Sequence, residues 1–367
     1  MKKVGIITFH RAVNYGACLQ AYALKETLKE IGADAELIDY RSEDVEDIYF
    51  KIIRKNISIK TLVKNIITWP VQKRRNSMFS SFLERYLLQN TPCSIHTTEE
   101  LKNVADKYDL FISGSDQVWS PLCAANDKTY MLDFVSDSQK KYSYAASFGV
   151  VDDKYLSDEK IKQLLDSYAF LSVREQKGIE IIHQMLGKES DKKLAQHVDP
   201  TFLLPKEKWM ALTKPVEKEK YLFIYSLSMP KEIIDYAEEL AEQMGLTIKC
   251  FTLNNVYSMM NPKRVINGSP IDFLSYIAGA EYVVTNSFHG TAFSIIFNKN
   301  FSVVKNVNPQ HDNSRLTNIL RMLGLEKRLS GVDTTAEVIE PIDYDQVNER
   351  VKKMQCESRE YLRRIAE

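Results

Sequence analysis

A histidine among hydroxyls, a carboxylate behind a Ser-Gly-Ser turn and an arginine opening a helix are the reactive groups of this 367-residue chain. The histidine is His289, in Thr285-Asn286-Ser287-Phe288-His289-Gly290-Thr291. Its ring can give or take a proton near neutral pH. Ser287, Gly290 and the free N–H groups of a following helix suit an anion. Asp116 lies in Ser113-Gly114-Ser115-Asp116-Gln117-Val118-Trp119. It can take a proton from a hydroxyl nucleophile, and Trp119 can stack on a sugar face. A helix cap at Asp116 and a core position for Trp119 explain the same residues without function. Arg174, in Ser172-Val173-Arg174-Glu175, would oppose the dipole of the helix it opens, and its fork matches a carboxylate or phosphate. Glu175 in the first turn is explained by that dipole alone. The fourth stretch is His10-Arg11-Ala12-Val13-Asn14-Tyr15-Gly16, where Gly16 lets a ligand approach a helix start. Its structural alternative is a connecting loop with a polar cap. The stretch is not GxGxxG, so a dinucleotide fingerprint is absent. Of the other histidines, His197 and His311 are cleft candidates without a strong role.

The elements around these residues alternate strand and helix. Strands are predicted at Val4–Phe9, Glu36–Tyr40, Asp109–Ile112, Tyr142–Ala146, Phe170–Val173 and His197–Asp199. After Pro205 the pattern restarts with strands at Tyr221–Tyr225, Leu246–Phe251, Glu281–Thr285 and Phe301–Lys305. Repeated strand–helix units mean parallel sheets covered on both faces. In such sheets ligands bind beyond the carboxyl ends of the strands, where all four stretches fall. The expected fold is therefore α/β, with two Rossmann-like, doubly wound domains facing a cleft. They occupy 1–205 and 206–340, and a charged helix fills 341–367, for which packing back on the first domain is one option.

Hydrophobic residues make up 44% of the chain and charged ones 27%, the composition of a globular protein. Lysine plus arginine and aspartate plus glutamate both number 49, so a general attraction to nucleic acid is not expected. Mean hydropathy is −0.30, and no apolar run approaches the roughly 18 residues of a membrane span. The N-terminus reads as a first strand and not as a signal peptide, so a cytoplasmic protein is expected. Five scattered cysteines without CxxC suit a reducing compartment, and the histidines lack metal-ligand spacing. Residues 51–75 stand apart, with eight basic side chains and no acid. Ile52, Ile59, Leu62, Val63, Ile66 and Ile67 share one helical face there. That pattern permits peripheral docking on an anionic membrane. The alternative is a helix covering the core with a solvated basic face.

Taken together, the four stretches carry a resemblance. From GIITFHRAVNYGACLQAYAL through FISGSDQVWSP, SYAASFG, SVREQKGIEII, HVDPTFLL and TNSFHGTAFSIIFNKNF to DNSRLTNILRMLGL, the chain resembles the polysaccharide pyruvyl transferase family. The resemblance implies a fold like the GT-B glycosyltransferases and transfer of an enolpyruvyl group from phosphoenolpyruvate to sugar hydroxyls. The product would be a pyruvate ketal on a cell-surface polysaccharide or its lipid-linked precursor. It implies His289 as a catalytic residue and Arg174 at the donor, with Asp116 in a family motif; the chemistry of the residues adds Asp116 as a catalytic base and Asn14, Gly16, Ser287, Gly290 and Arg315 at the donor. Trp119 and His10 are expected at the acceptor, with phosphoenolpyruvate as co-substrate and neither metal nor other cofactor. The alternatives are a GT-B-type glycosyltransferase using a nucleotide sugar and a non-catalytic carbohydrate-binding protein on the same fold.

Overall fold

The computed structural model describes residues 1–42, 58–89, 91, 94–216, 219–306, 313–330 and 340–367. His311 and positions 51–57 of the basic stretch lie outside them.

In the first half, β1 (Lys3–Ile7), β2 (Asp34–Leu37), β3 (Leu110–Ser113) and β4 (Lys141–Ser143) form a parallel sheet of order β2-β1-β3-β4. Single bridges at Tyr142↔Phe170 and Ala146↔Val173 continue it to the parallel pair β5 (Leu171–Val173) and β6 (Leu194–Gln196). The second half holds β7 (Tyr221–Tyr225), β8 (Thr247–Phe251), β9 (Tyr282–Thr285), β10 (Asn300–Val304) and β11 (Leu329–Ser330), parallel throughout in the order β11-β10-β9-β7-β8. The inner strands LFIS, YLFIY and YVVT are buried at every position. Helices cover both faces of such sheets, so the strands run apolar without alternation. In both sheets the order reverses beside the first strand, at β1/β3 and at β7/β9. These switch points open the crevice where ligands bind.

Two of the features that join the halves are the burial of Tyr15 and the last helix. Tyr15, at the start of the Tyr15–Glu30 helix, is 1% exposed and stacks on Phe273 at 5.2 Å. Its edge meets Tyr225 and Phe251, and its hydroxyl donates to Gly268 O at 3.2 Å. An aromatic ring buried this way contributes on the order of 3 kcal/mol to holding the crevice walls together. The second feature is the Tyr344–Ala366 helix. It begins on the second half, where Tyr344 OH donates to Ser294 O at 3.3 Å. It ends on the first, where Tyr361 OH donates to Ser143 O at 2.8 Å and Val198 N donates to Ser358 Oγ at 3.2 Å.

Several sequence readings change here. His197 is no cleft residue: its ring stacks on Tyr361 at 4.5 Å and its Nδ1 lies 2.8 Å from Ser172 Oγ. Burial pushes its pKa down to about 4. The Ile59–Phe82 helix does not cover the core with an apolar face over its first half. Its buried residues are Thr68, Arg75, Phe79 and Phe82, while Ile59, Val63, Ile66 and Ile67 face outward. No helix among the described residues is long and apolar enough to cross a membrane.

Candidate functional site

The turn after β1 is closed on itself. Asn14 caps the first helix, its Oδ1 accepting from Gly16 N at 3.0 Å and Ala17 N at 3.4 Å. The expected donor role of Asn14 gives way to this cap, which occupies the N–H groups an anion would need. His10 is 1% exposed, with Nδ1 3.1 Å from Thr8 O and Nε2 3.0 Å from Asp39 Oδ1. Arg11 donates to both oxygens of Asp39, and Ser94 Oγ donates to Oδ2 at 2.6 Å. Burial would raise the pKa of Asp39, but His10, Arg11 and Ser94 hold it well below the carboxylate range. His10 therefore cannot meet an acceptor, because both ring nitrogens are taken and the ring is enclosed.

The turn after β3 is tied to the first through Gln20. This buried side chain donates to Thr8 Oγ1 at 2.8 Å and accepts from Ser115 N at 3.3 Å. Asp116 follows in the left-handed region at φ 72°, 9% exposed. Trp119 is a core residue and not a sugar platform. It is 1% exposed, its indole N–H donates to Ser113 Oγ at 3.1 Å, and Phe148 and Tyr168 pack on its ring.

Arg174 ends β5 and is buried among three carboxylates. Its Nη1 donates to Asp199 Oδ2 at 2.8 Å and lies 3.8 Å from Asp116 Oδ1, while Nε is 3.4 Å from Glu175 Oε2. Its guanidinium sits 4.4 Å from the centre of the Phe288 ring, a cation–π contact. Burial opposes the charge, but the three carboxylates outweigh burial and raise the pKa of Arg174.

The turn after β9 brings His289 to the same carboxylate. Its Nε2 lies 3.6 Å from Asp199 Oδ2, beyond hydrogen-bond reach. Asp199 is 1% exposed and also accepts from Ser115 Oγ and from Thr201 N and Oγ1. Burial would raise its pKa, yet His289 and Arg174 hold it well below the usual range. The ring of His289 rests on the backbone of the first helix. A Cβ on Gly16 would lie 2.1 Å from its Cγ and Nδ1, so only glycine allows this seat. Gly290 serves packing and not a ligand: a Cβ there would lie 2.2 Å from Thr285 Oγ1. Ser287 opens the Phe288–Ile296 helix without a side-chain cap, which leaves that N-terminus uncapped toward the crevice.

Arg315, in the first turn of the Ser314–Leu323 helix, completes the wall. With Arg174, Glu175, Asp199, Phe288 and Met322 it lines a narrow cleft. Burial and the like charge of Arg174 lower its pKa. Three buried donors on three basic side chains have no hydrogen-bond partner: Arg174 Nη2, Arg315 Nε and His289 Nε2. Among the described residues, no group of three His, Cys, Asp or Glu side chains could hold a metal ion.

The structure thus gathers His289, Asp116, Arg174, Arg315 and Gly16, and leaves His10, Trp119 and Asn14 in structural positions. Sequence reasoning missed Asp199, the carboxylate that Arg174, Ser115 and His289 share. Its Val-Asp-Pro context announces only a strand end and a cap.

The polysaccharide pyruvyl transferase profile matches residues 14–308, which contain every member of this group except Arg315. The chain belongs to the polysaccharide pyruvyl transferase family. No curated protein sequence matches the chain. A solved UDP-N-acetylglucosamine 2-epimerase aligns over 99% of this chain and 94% of its own, at 11% identity and a TM-score of 0.50. S. aureus MnaA in a co-structure with UDP aligns over 96% and 87%, at 10% identity and 0.49. The Streptomyces sp. SF2575 glycosyltransferase SsfS6, complexed with thymidine diphosphate, aligns over 100% and 99%, at 10% and 0.48. At such identities the likeness concerns the fold alone. That fold is GT-B-like, with two Rossmann-like domains.

Proposed function

We propose that this family member transfers the enolpyruvyl group of phosphoenolpyruvate to sugar hydroxyls of a polysaccharide or its lipid-linked precursor, closing a pyruvate ketal. The observation that carries the reading is the set of three unpartnered buried donors on Arg174, Arg315 and His289. A buried N–H without a partner costs about 1–3 kcal/mol, more when charged, and an anion bearing phosphate and carboxylate oxygens would remove that cost. Arg315 feels the like charge of Arg174 across the cleft they line, and an anion between them would offset it.

In this reading Arg174 and Arg315 clamp the donor, and His289 protonates C3 so that C2 becomes electrophilic. Asp116 takes the proton of the attacking hydroxyl. A second hydroxyl of the same sugar then attacks C2 as the C2–O bond to phosphate breaks, its proton passing to the departing phosphate, and the ketal closes. Asp199 does not touch substrate; it fixes the arginine and faces the imidazole. The test is incubation with phosphoenolpyruvate and candidate saccharides, reading released phosphate and a ketal product by mass, beside a thermal-shift panel of donors. Stabilisation by phosphoenolpyruvate with acceptor-dependent phosphate release is the expected result. Stabilisation by nucleotide sugars alone would replace this reading with a glycosyltransferase.

A further inference from the structure

The Ile59–Phe82 helix is amphipathic in the reverse sense over its first half. In that half only Thr68 is buried; beyond it Arg75, 4% exposed, donates to Thr252 O at 3.1 Å, and Phe79 and Phe82 turn inward. Four apolar residues of that half face solvent, beside Lys60, Thr61 and Lys64. Ile59 is 81% exposed, Val63 49%, Ile66 57% and Ile67 56%. Positions 59, 63, 66 and 67 fall within one stripe of a 3.6-residue helix, so they form a continuous strip and not scattered exposures. Leaving such a strip in water forfeits what burial would gain, and helices of soluble domains normally turn it inward. Lys60, Lys64, Lys73 and Arg74 are exposed around it, and no acidic residue occurs in 51–75.

We propose that this strip docks the protein on an anionic lipid surface, the isoleucines entering the headgroup region while the surrounding cations meet lipid phosphates. Charge selects this occupant. A second copy laid on the same strip would bring eight cations together with no acid between them, whereas an anionic bilayer accepts both the apolar strip and its charge. The proposal concerns the location of the protein and does not require the transfer chemistry, so its failure leaves that reading untouched.

Co-sedimentation of the full chain with vesicles tests it. Binding is expected to phosphatidylcholine vesicles containing phosphatidylglycerol, weakening as salt rises, and not to phosphatidylcholine alone. Ile66→Asp should lower the partition coefficient about tenfold or more, since it exchanges a buried apolar side chain for a repelled charge. The paired change Lys60→Glu with Lys73→Glu should lower it chiefly at low salt. All three positions are solvent-facing, so melting temperatures should hold, and Val63→Ser offers a milder variant with the same direction of effect. The proposal falls if the unmodified chain ignores anionic vesicles or if Ile66→Asp binds them equally well. A lipid-free dimer that Ile66→Asp dissolves would also overturn it, assigning the strip to a second copy.

Discussion

The protein contains two clusters of the same three residue types, and they behave oppositely. In one, Asp39 joins His10 and Arg11 after β1; in the other, Asp199 joins Arg174 and His289 across the crevice. The first is saturated. Both ring nitrogens of His10 are occupied, Arg11 grips both carboxylate oxygens, and Ser94 closes the remaining side. The second is left slack, with His289 Nε2 and Arg174 Nη2 unpartnered and the imidazole 3.6 Å from its carboxylate. Histidine, arginine and aspartate at a strand edge therefore do not define a site. What separates the two clusters is the hydrogen-bonding capacity left unused in the second.

The largest expected difference between the clusters is kinetic. His289→Ala should lower turnover by about 10²–10⁴, the usual worth of a positioned acid, and leave the melting temperature near that of the unmodified protein. His10→Ala should do the reverse, and a loss of turnover without loss of stability there would break the comparison. Next comes the carboxylate that saturates the first cluster. Asp39→Ala should cost about 3–5 kcal/mol in denaturant unfolding at neutral pH, because it strands buried partners. The folded-state pKa of Asp39 is depressed, so its contribution is full above the ordinary carboxylate value near about 4 and lost as pH falls through the folded one. The gap between variant and parent should therefore close at acid pH, which paired urea titrations would show. Arg174→Ala should weaken phosphoenolpyruvate binding by about 1.5–3 kcal/mol, measured by calorimetry, whereas Arg11→Ala should leave it unchanged. Smallest is the cap: Asn14→Ala should cost about 1 kcal/mol in stability with donor affinity intact. A drop in affinity instead would return Asn14 to the site.

The fold was legible because strand–helix alternation is a local property. Tyr221–Tyr225 matches its sequence-based bounds, and most other strands shift by only a few residues. The site was legible in part for the same reason: a polar turn after a buried strand marks a crevice edge, and His289, Arg174 and Asp116 all sit on one. Whether such a residue faces ligand or core depends on partners far along the chain. His10 and His289 occupy equivalent turns, and it is Asp39 and Ser94, 29 and 84 positions beyond His10, that close the first. Trp119 became core because Phe148 and Tyr168 enclose it. Asp199 escaped notice because Ser115, Arg174 and His289 approach it from three separate segments, none adjacent in sequence.

The missing side chain at Gly16 lets a ring from one domain settle on the backbone of the other. The imidazole belongs to the second domain, yet the surface that fixes its tilt is the backbone of a helix in the first. The tilt of the ring is thus set by the spacing of the two domains, and a methyl group at position 16 would reach across that spacing into the imidazole.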